Sequence, residues 1–493
     1  MFYLKPRKID IQVGNKYIIL LNERTAHHLD LHAGDRIFIK NGKAEVIAIV
    51  DISSQAKNGQ IGLYFETWNK LNMKRGDKRV SVAIAKKPSS VVYIREKLDG
   101  KTLNAEKINK IIKHVVHERL SDVEITYFVA GCYINGLNNA ETVNLTKAIV
   151  ENGGKLVFKN KIVLDKHCIG GVPGNRTTLI TVPICAAAGL LIPKTSSRAI
   201  TSPAGTADTM EVLANVTNDA AKLKKIADKV GAFISWGGGV DLAAADDHMI
   251  KIRNPMSLDP QGMLLASILA KKHSVSSTHV VIDIPYGPDV KVANPRAAAP
   301  LKKRFEKIGA MLGMKLKVVL TDGSQPIGNG IGPILECIDC LKVLKNDPTA
   351  PKDLLKKSLF IAGTALELTG KAKKGQGEKM AAEILKSGKA YKKMQEIIDA
   401  QGRTNIPLVP GKFTQDIKAT KAGKITYINN KMISHYARLA GAPLNLGAGM
   451  YIFKFKGDKV KKGDTLFRLY AENEVRLQNA AESIKIDECY HIN

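Results

Sequence analysis

Asp165 to Asn175 reads DKHCIGGVPGN, with a lysine, a histidine and a cysteine set just before two adjacent glycines. The strand-like KIVL precedes this run and the helix-compatible RTTLITVPICAAAG follows it, so the expected context is strand, glycine loop, helix. There, backbone N–H groups around Gly170 and Gly171 can approach an anion, Lys166 adds a full positive charge and Cys168 a weak donor. Thr177 and Thr178 are candidate caps for the next helix. The run is neither GxxxxGK followed by Ser or Thr nor GxGxxG, which excludes the two familiar nucleotide loops. A plain tight turn is the competing reading.

A second run, TSSRAITSPAGTADTMEVL from Thr195 to Leu213, sets six hydroxyl residues, Arg198 and Gly205 before an acidic helix start. That is donor enough for more than one phosphate; a surface Ser/Thr turn is the alternative. In a third, LDPQGMLLASILAKK, Asp259 stands ahead of an apolar helix, and Ser267 and Lys271, four apart, share one face. A cap aspartate and a solvent lysine would account for the same residues. In the helix-like LNAEKINKIIKHVVHERL, Asn104 is a candidate cap, and a solvated face is a better reading of His114, His117 and Glu118 than a metal site.

These stretches need elements to position them. With 493 residues and ordinary apolar content, the chain suffices for two to four domains. Lys and Arg outnumber Asp and Glu by 75 to 46, giving a net charge of +29 and anions as the expected partners. Aromatics are only 5% and no basic tract is interleaved with them, so small phosphorylated substrates are expected in preference to nucleic acid. No apolar run is long enough for a membrane span and the N-terminus lacks a secretory pattern, so no membrane partner and a cytoplasmic location are expected. The six cysteines read as reduced thiols; Cys337 and Cys340, a lone CxxC, read as packed helix residues.

Short apolar runs with turns predict a β-rich domain over 1–86. Helical spacing follows over 87–154, completed by a helix-rich stretch at about 240–275. Buried strands alternating with helices predict an α/β domain over 155–239 and 276–405, and short strands with glycines a C-terminal subdomain over 406–493.

Together, REKLDGKTLNAEKINKIIKHVVHERLSD, DKHCIGGVPGN, SSRAITSPAGTADTME, SILAKK and LTDGSQPIGNGIGP resemble the thymidine and pyrimidine-nucleoside phosphorylases from about Ile94 onward. SRAITSPAGTAD and the extra N-terminal domain are similar to the archaeal-type AMP phosphorylases. The resemblance implies an all-α domain facing an α/β domain across a cleft, with a β-rich assembly domain before them and a β-rich subdomain after them. It implies a homodimer or larger assembly, and conversion of AMP and phosphate into adenine and ribose 1,5-bisphosphate, with CMP and UMP as further candidates. Inorganic phosphate would be co-substrate and no cofactor or metal is implied. By the same resemblance Lys166, Cys168, Gly170 and Thr206 would bind phosphate. Gly171, Ser197, Arg198, Ala199, Ile200, Thr201, Ser202, Thr206, Ser267, Lys271 and Lys291 would contact the nucleotide, and Asp259 would donate the proton.

Two departures separate the chain from the pyrimidine enzymes. Cys168 stands where they carry serine, and SRAITSPAGT replaces GRGLGHTGGT, so that Ser202 and Pro203 replace histidine and threonine. Arg253 stands one position from their pyrimidine-clamping arginine. A hydroxyl-rich loop without imidazole points to a 5′-phosphate on the sugar. Two alternatives are a phosphorylase for unphosphorylated nucleosides and an inactive, nucleic-acid-binding relative. Anthranilate phosphoribosyltransferases have a related fold, but their GTGGD run is absent here.

Overall fold

Up to Ile84 the apolar residues recur at every second position, as in Ile37 and Ile39, Val46, Ala48 and Val50, and Val80 and Val82, all buried. Strands with one apolar face must bury it together, and here they close on themselves. In the computed structural model, which describes the chain apart from Met1, Asn15, Arg75, Ile200, Thr201, Asp241 and Ser257, six strands form a closed barrel. They are β1 (Phe2–Lys8), β2 (Ile18–Leu21), β3 (Arg36–Asn41), β4 (Ala44–Ile52), β5 (Gln60–Leu63) and β6 (Val80–Ile84), in the order β1-β5-β2-β4-β3-β6.

By compactness the chain divides into two units, Met1–Gly136 with His248–Leu258, and Leu137–Asp247 with Asp259–Asn493. In the first, the barrel is followed by helices Ser90–Leu98, Ala105–Val116 and Asp122–Ile134. Asn104 does cap its helix, accepting from Lys107 N at 3.0 Å. The solvated face expected for His114 is corrected: the ring is buried, 2.8 Å from Ser90 Oγ, and burial followed by nearby cations pushes its pKa down to about 4. Among the described residues no group of three or more His, Cys, Asp or Glu is placed to hold a metal.

The helical stretch expected over 87–154 is shared between the units. Helix Asn139–Glu151 packs on helix Gln261–His273 in the larger unit. Arg304 fixes this pairing by donating to Leu137 O, to Gln261 Oε1 at 2.6 Å and to Asn139 Oδ1 at 3.2 Å.

The larger unit is organised by parallel strands: β7 (Leu164–Cys168), β8 (Ile192–Ser196), β9 (Ala232–Trp236), β10 (His279–Tyr286) and β11 (Lys315–Asp322). One sheet runs β11-β10-β7 and the other pairs β8 with β9; Leu164 N donates to Leu191 O at 2.8 Å where they meet. β10 is buried from His279 to Pro285, as a strand covered on both faces must be. Its alternate residues enter two cores. Val281 joins the one containing helices Thr178–Ala187 and Lys352–Leu368, while Val280, Ile282 and Ile284 join the one containing helices Gln261–His273 and Pro295–Met311.

Beyond these lie β12 (Gly330–Ile331), β13 (Phe413–Lys418), β14 (Gly423–Ile428), β15 (Gly449–Ile452), β16 (Lys459–Val460), β17 (Thr465–Ala471) and β18 (Tyr490–Ile492). They form the sheets β12-β15-β17-β13 and β16-β14-β18 around a separate apolar core. All six cysteines are unbridged, and Cys337 and Cys340 are buried in helix Pro333–Leu344. No helix among the described residues is long and apolar enough to cross a membrane.

The turn from β7 into helix Thr178–Ala187 depends on glycine. Gly174 has φ +70°, and a Cβ there would stand 2.1 Å from Ile327 O. Gly370 has a similar φ of +73° but open space around it. We therefore expect Gly370→Ala to cost only the left-handed backbone penalty, about 1–2 kcal/mol. Gly174→Ala should lower the thermal unfolding midpoint clearly further, and equal midpoints for the two variants would refute the steric argument.

Candidate active site

The carboxyl end of β7 and the glycine loop form the centre of the site. Lys166 is buried, and its Nζ donates to Thr177 Oγ1 at 2.6 Å and Thr178 Oγ1 at 3.2 Å. Those hydroxyls are not helix caps, correcting the sequence reading: helix Thr178–Ala187 has no side-chain cap bond. Instead they fix the ammonium, whose pKa burial lowers against the opposing pull of Asp283. Burial, then Asp283, pushes the Cys168 thiol up to about 11, so at neutral pH it is an S–H group and not a thiolate. Its sulfur accepts from Asn175 Nδ2 at 3.2 Å and Gly170 N at 3.5 Å.

The second loop is organised by Asp208, which sequence reasoning passed over. Its Oδ2 accepts from Ala199 N at 2.7 Å and Gly205 N at 2.8 Å. Arg198 is held rather than free: it pairs with Glu211, donates to Asp208 Oδ1 at 3.3 Å and lies 5.1 Å from the centre of the Trp236 ring. Ser202 Oγ donates to Ala204 O at 3.0 Å, whereas Ser197 is exposed and Thr206 opens helix Thr206–Glu211. Ile200 and Thr201 lie outside the described residues.

The third group meets at Asp246, also missed. Its Oδ2 receives Ser267 Oγ at 2.6 Å and Lys271 Nζ at 3.0 Å, so these residues do share a face, and the lysine is not a solvent group. Asp259 is not a helix cap, because the helix starts at Gln261 without a side-chain cap. It accepts from Lys291 Nζ at 2.6 Å. Val290, beside Lys291, touches the position a Gly171 Cβ would take at 3.0 Å, which brings the Asp259–Lys291 pair to the glycine loop.

Beneath these side chains lies a network of buried charge. Asp165 binds Lys272 at 2.6 Å, with Lys194 at 3.9 Å, on one face of β7. Asp283, on β10 opposite Cys168, accepts from Thr321 Oγ1 at 2.6 Å and pairs with Lys357 at 3.2 Å. Although burial alone would raise the Asp283 pKa, Lys357 and Lys166 hold it below the usual range. Burial pushes Lys194 well down, with Lys272 adding to the effect. Lys357, also missed, had left one local signal: it falls three residues after Leu354 and four before Ile361, on the buried stripe of its helix. Asp246, 21 residues before Ser267, carried no such signal.

The geometry can be set beside known proteins. Residues 91–153 match the helical bundle domain of a glycosyl transferase family, 160–258 its a/b domain, and 424–493 the pyrimidine nucleoside phosphorylase C-terminal domain. An AMP phosphorylase of Methanococcoides burtonii is 44% identical over 98% of this chain and 96% of its own. One from Methanococcus vannielii is 40% identical over 97% and 95%, and a Legionella pneumophila protein named "Putative thymidine phosphorylase" is 42% identical over 98% and 94%. The anthranilate phosphoribosyltransferase of Thermus thermophilus shares the fold, with a TM-score of 0.53 over 62% of this chain and 98% of its own at 18% identity. With three domain matches in chain order and relatives aligned over nearly its whole length, the chain belongs to the glycosyl transferase family that contains the AMP and thymidine phosphorylases.

Proposed function

We propose that the protein is a pentosyltransferase that cleaves nucleoside 5′-monophosphates with phosphate, turning AMP into adenine and ribose 1,5-bisphosphate in nucleotide salvage, with CMP and UMP as further substrates. The observation that carries this reading is the pair of donor loops, 166–178 and 197–206, joined through Arg176, which contacts Asn175 O in one and Ala204 O in the other. Together the two loops offer donors for two phosphates. The names of the Methanococcoides and Methanococcus relatives support AMP as the nucleotide.

In this reading Lys166, the Cys168 S–H, the Gly170 amide and Thr206 orient inorganic phosphate, whose oxygen attacks the anomeric carbon. Gly171, Thr206, Ser267 and Lys271 contact the nucleotide, and the loop from Ser197 to Ser202 serves its 5′-phosphate. As the N-glycosidic bond breaks, positive charge grows on the sugar and negative charge on the base. Asp259 protonates the departing base nitrogen. Its Oδ2 accepts from Lys291 Nζ, and Lys291 contacts the nucleotide beside it. No cofactor takes part, because phosphate supplies the nucleophile and the base leaves with its bonding electrons.

We place the enzyme in the cytoplasm as a homodimer or larger assembly, with the barrel as its assembly module. Val123, Tyr127 and Ile134 are exposed along one stripe of helix Asp122–Ile134, an apolar face suited to a second copy. Light scattering should show Tyr127→Lys as a smaller assembly than the wild type, by whole multiples of one chain, 53.6 kDa; an unchanged mass refutes this stripe as an interface.

Product analysis tests the activity: free base with ribose 1,5-bisphosphate is expected from AMP, whereas ribose 1-phosphate from nucleosides alone would restore the nucleoside reading. Asp259→Asn should lower kcat by about 10²–10⁴, and near-normal turnover would remove it as proton donor. Because burial lowers the Lys166 pKa, its proton leaves at a lower pH than that of an ordinary lysine. The KM for phosphate should therefore rise on the alkaline side while exposed lysines are still charged, and a flat profile there would contradict Lys166 as the phosphate cation.

A further inference from the structure

We infer that Arg176 is a positioning residue that sets the spacing between the two phosphate loops, with Glu336 as its buried anchor. The inference rests on the reading of two phosphates given above, and adds a residue to which neither the family motifs nor the donor pattern gave a role.

Arg176 directly follows the glycine loop, and its side chain is only 12% exposed. Its guanidinium reaches three oxygens on three elements. Nη1 donates to Asn175 O in the first loop at 3.4 Å, Nη2 donates to Ala204 O in the second, and Nε pairs with Glu336 on helix Pro333–Leu344. A planar guanidinium can donate to two loop carbonyls while ion-paired with a carboxylate, a geometry that a lysine ammonium on a flexible stem does not reproduce.

Both loop contacts are linked to groups assigned to an anion. Asn175 reaches Cys168 Sγ through Nδ2, and Thr177 accepts from Lys166. Ala204 precedes Gly205, whose amide is fixed by Asp208 and which has no room for a Cβ: one would stand 2.6 Å from Ser197 O and 2.7 Å from Ala199 N. A shift at Ala204 therefore carries Ser197, Ala199 and Thr206 with it, and a shift at Asn175 carries Cys168 and Lys166.

The anchor is itself held. Glu336 Oε1 accepts from Gly332 N at 3.1 Å, and on the same helix Asp339 Oδ2 accepts from Asn329 N and Gly330 N at 2.7 Å. Glu336 faces Arg176, with Asp339 on its own helix and Asp208 from helix Thr206–Glu211 nearby; burial, opposed by Arg176, pushes its pKa up to about 7. Deprived of the guanidinium it can take up a proton, so a change at Arg176 does not have to leave a bare charge in the core.

The test is steady-state kinetics of Arg176→Lys and Glu336→Gln, with phosphate and AMP varied in turn and the thermal midpoint recorded for each variant. In Arg176→Lys the KM for phosphate and the KM for AMP should both rise about tenfold or more, with kcat falling less than KM rises. Glu336→Gln should move both constants the same way by a smaller factor, and decides the matter if Arg176→Lys does not fold. A lower midpoint with both KM values unchanged, or a change in only one of them, overturns the inference. A wild-type enzyme that cleaves nucleosides but not AMP would refute the proposed substrate, while the spacing role would still be judged by the KM values for phosphate and that nucleoside.

Discussion

Four lysines, Lys166, Lys194, Lys272 and Lys357, are buried in the α/β unit around two buried aspartates, Asp165 and Asp283, and this imbalance governs the site. Removing an ammonium group from water is costly unless a partner repays it. Asp165 serves Lys272 and Lys194, and Asp283 serves Lys357, which leaves Lys166 with two threonine hydroxyls as its hydrogen-bond partners. Hydroxyls accept a hydrogen bond but bring no negative charge. An anion at the carboxyl end of β7 would therefore find a fixed, under-compensated cation, and binding there would recover part of what folding spent.

The sheet makes this possible because strand residues alternate between faces. Lys166 and Cys168 share a face of β7 with Asp283 of β10, on the side packed by helices Thr178–Ala187 and Lys352–Leu368. Asp165 faces the other way, where Lys272 of helix Gln261–His273 meets it. One short strand thus fixes an anion-facing pair on one face and, through Lys272, the helix that carries Ser267 and Lys271 on the other. A slip of one residue would exchange the two faces and dismantle both sets.

Local signals in the sequence reached far, and their limits have physical causes. The β-rich first domain, the α/β domain and the glycine loop were legible because period-two apolar spacing and glycines at tight turns are properties of neighbouring residues. So was the convergence of Ser267 and Lys271, which depends only on helical spacing. Thr177 and Thr178 were misread because a hydroxyl before a helix can turn to the helix or to a lysine eleven residues back, and only the packed strand decides. His114 was misread for the same reason, since the Ser90 hydroxyl that buries it lies on another helix. Asp246, Glu336 and Lys357 act across long separations, and no motif contains both partners.

Net charge and buried charge do different work in this protein. A net charge of +29 points to anions, yet most of those lysines lie on the surface, where salt screens them within about 8 Å. Summed charge can draw a phosphorylated molecule toward the protein but cannot choose where it binds. The choice belongs to cations held largely out of water: Lys166, fixed by its threonines and paired with no carboxylate among the described residues, and, in spacing the two loops, Arg176 with its Glu336 anchor. Burial removes their screening and restricts their movement at once, so the residues that are hardest to place in a folded core are those best able to define the position of a phosphate.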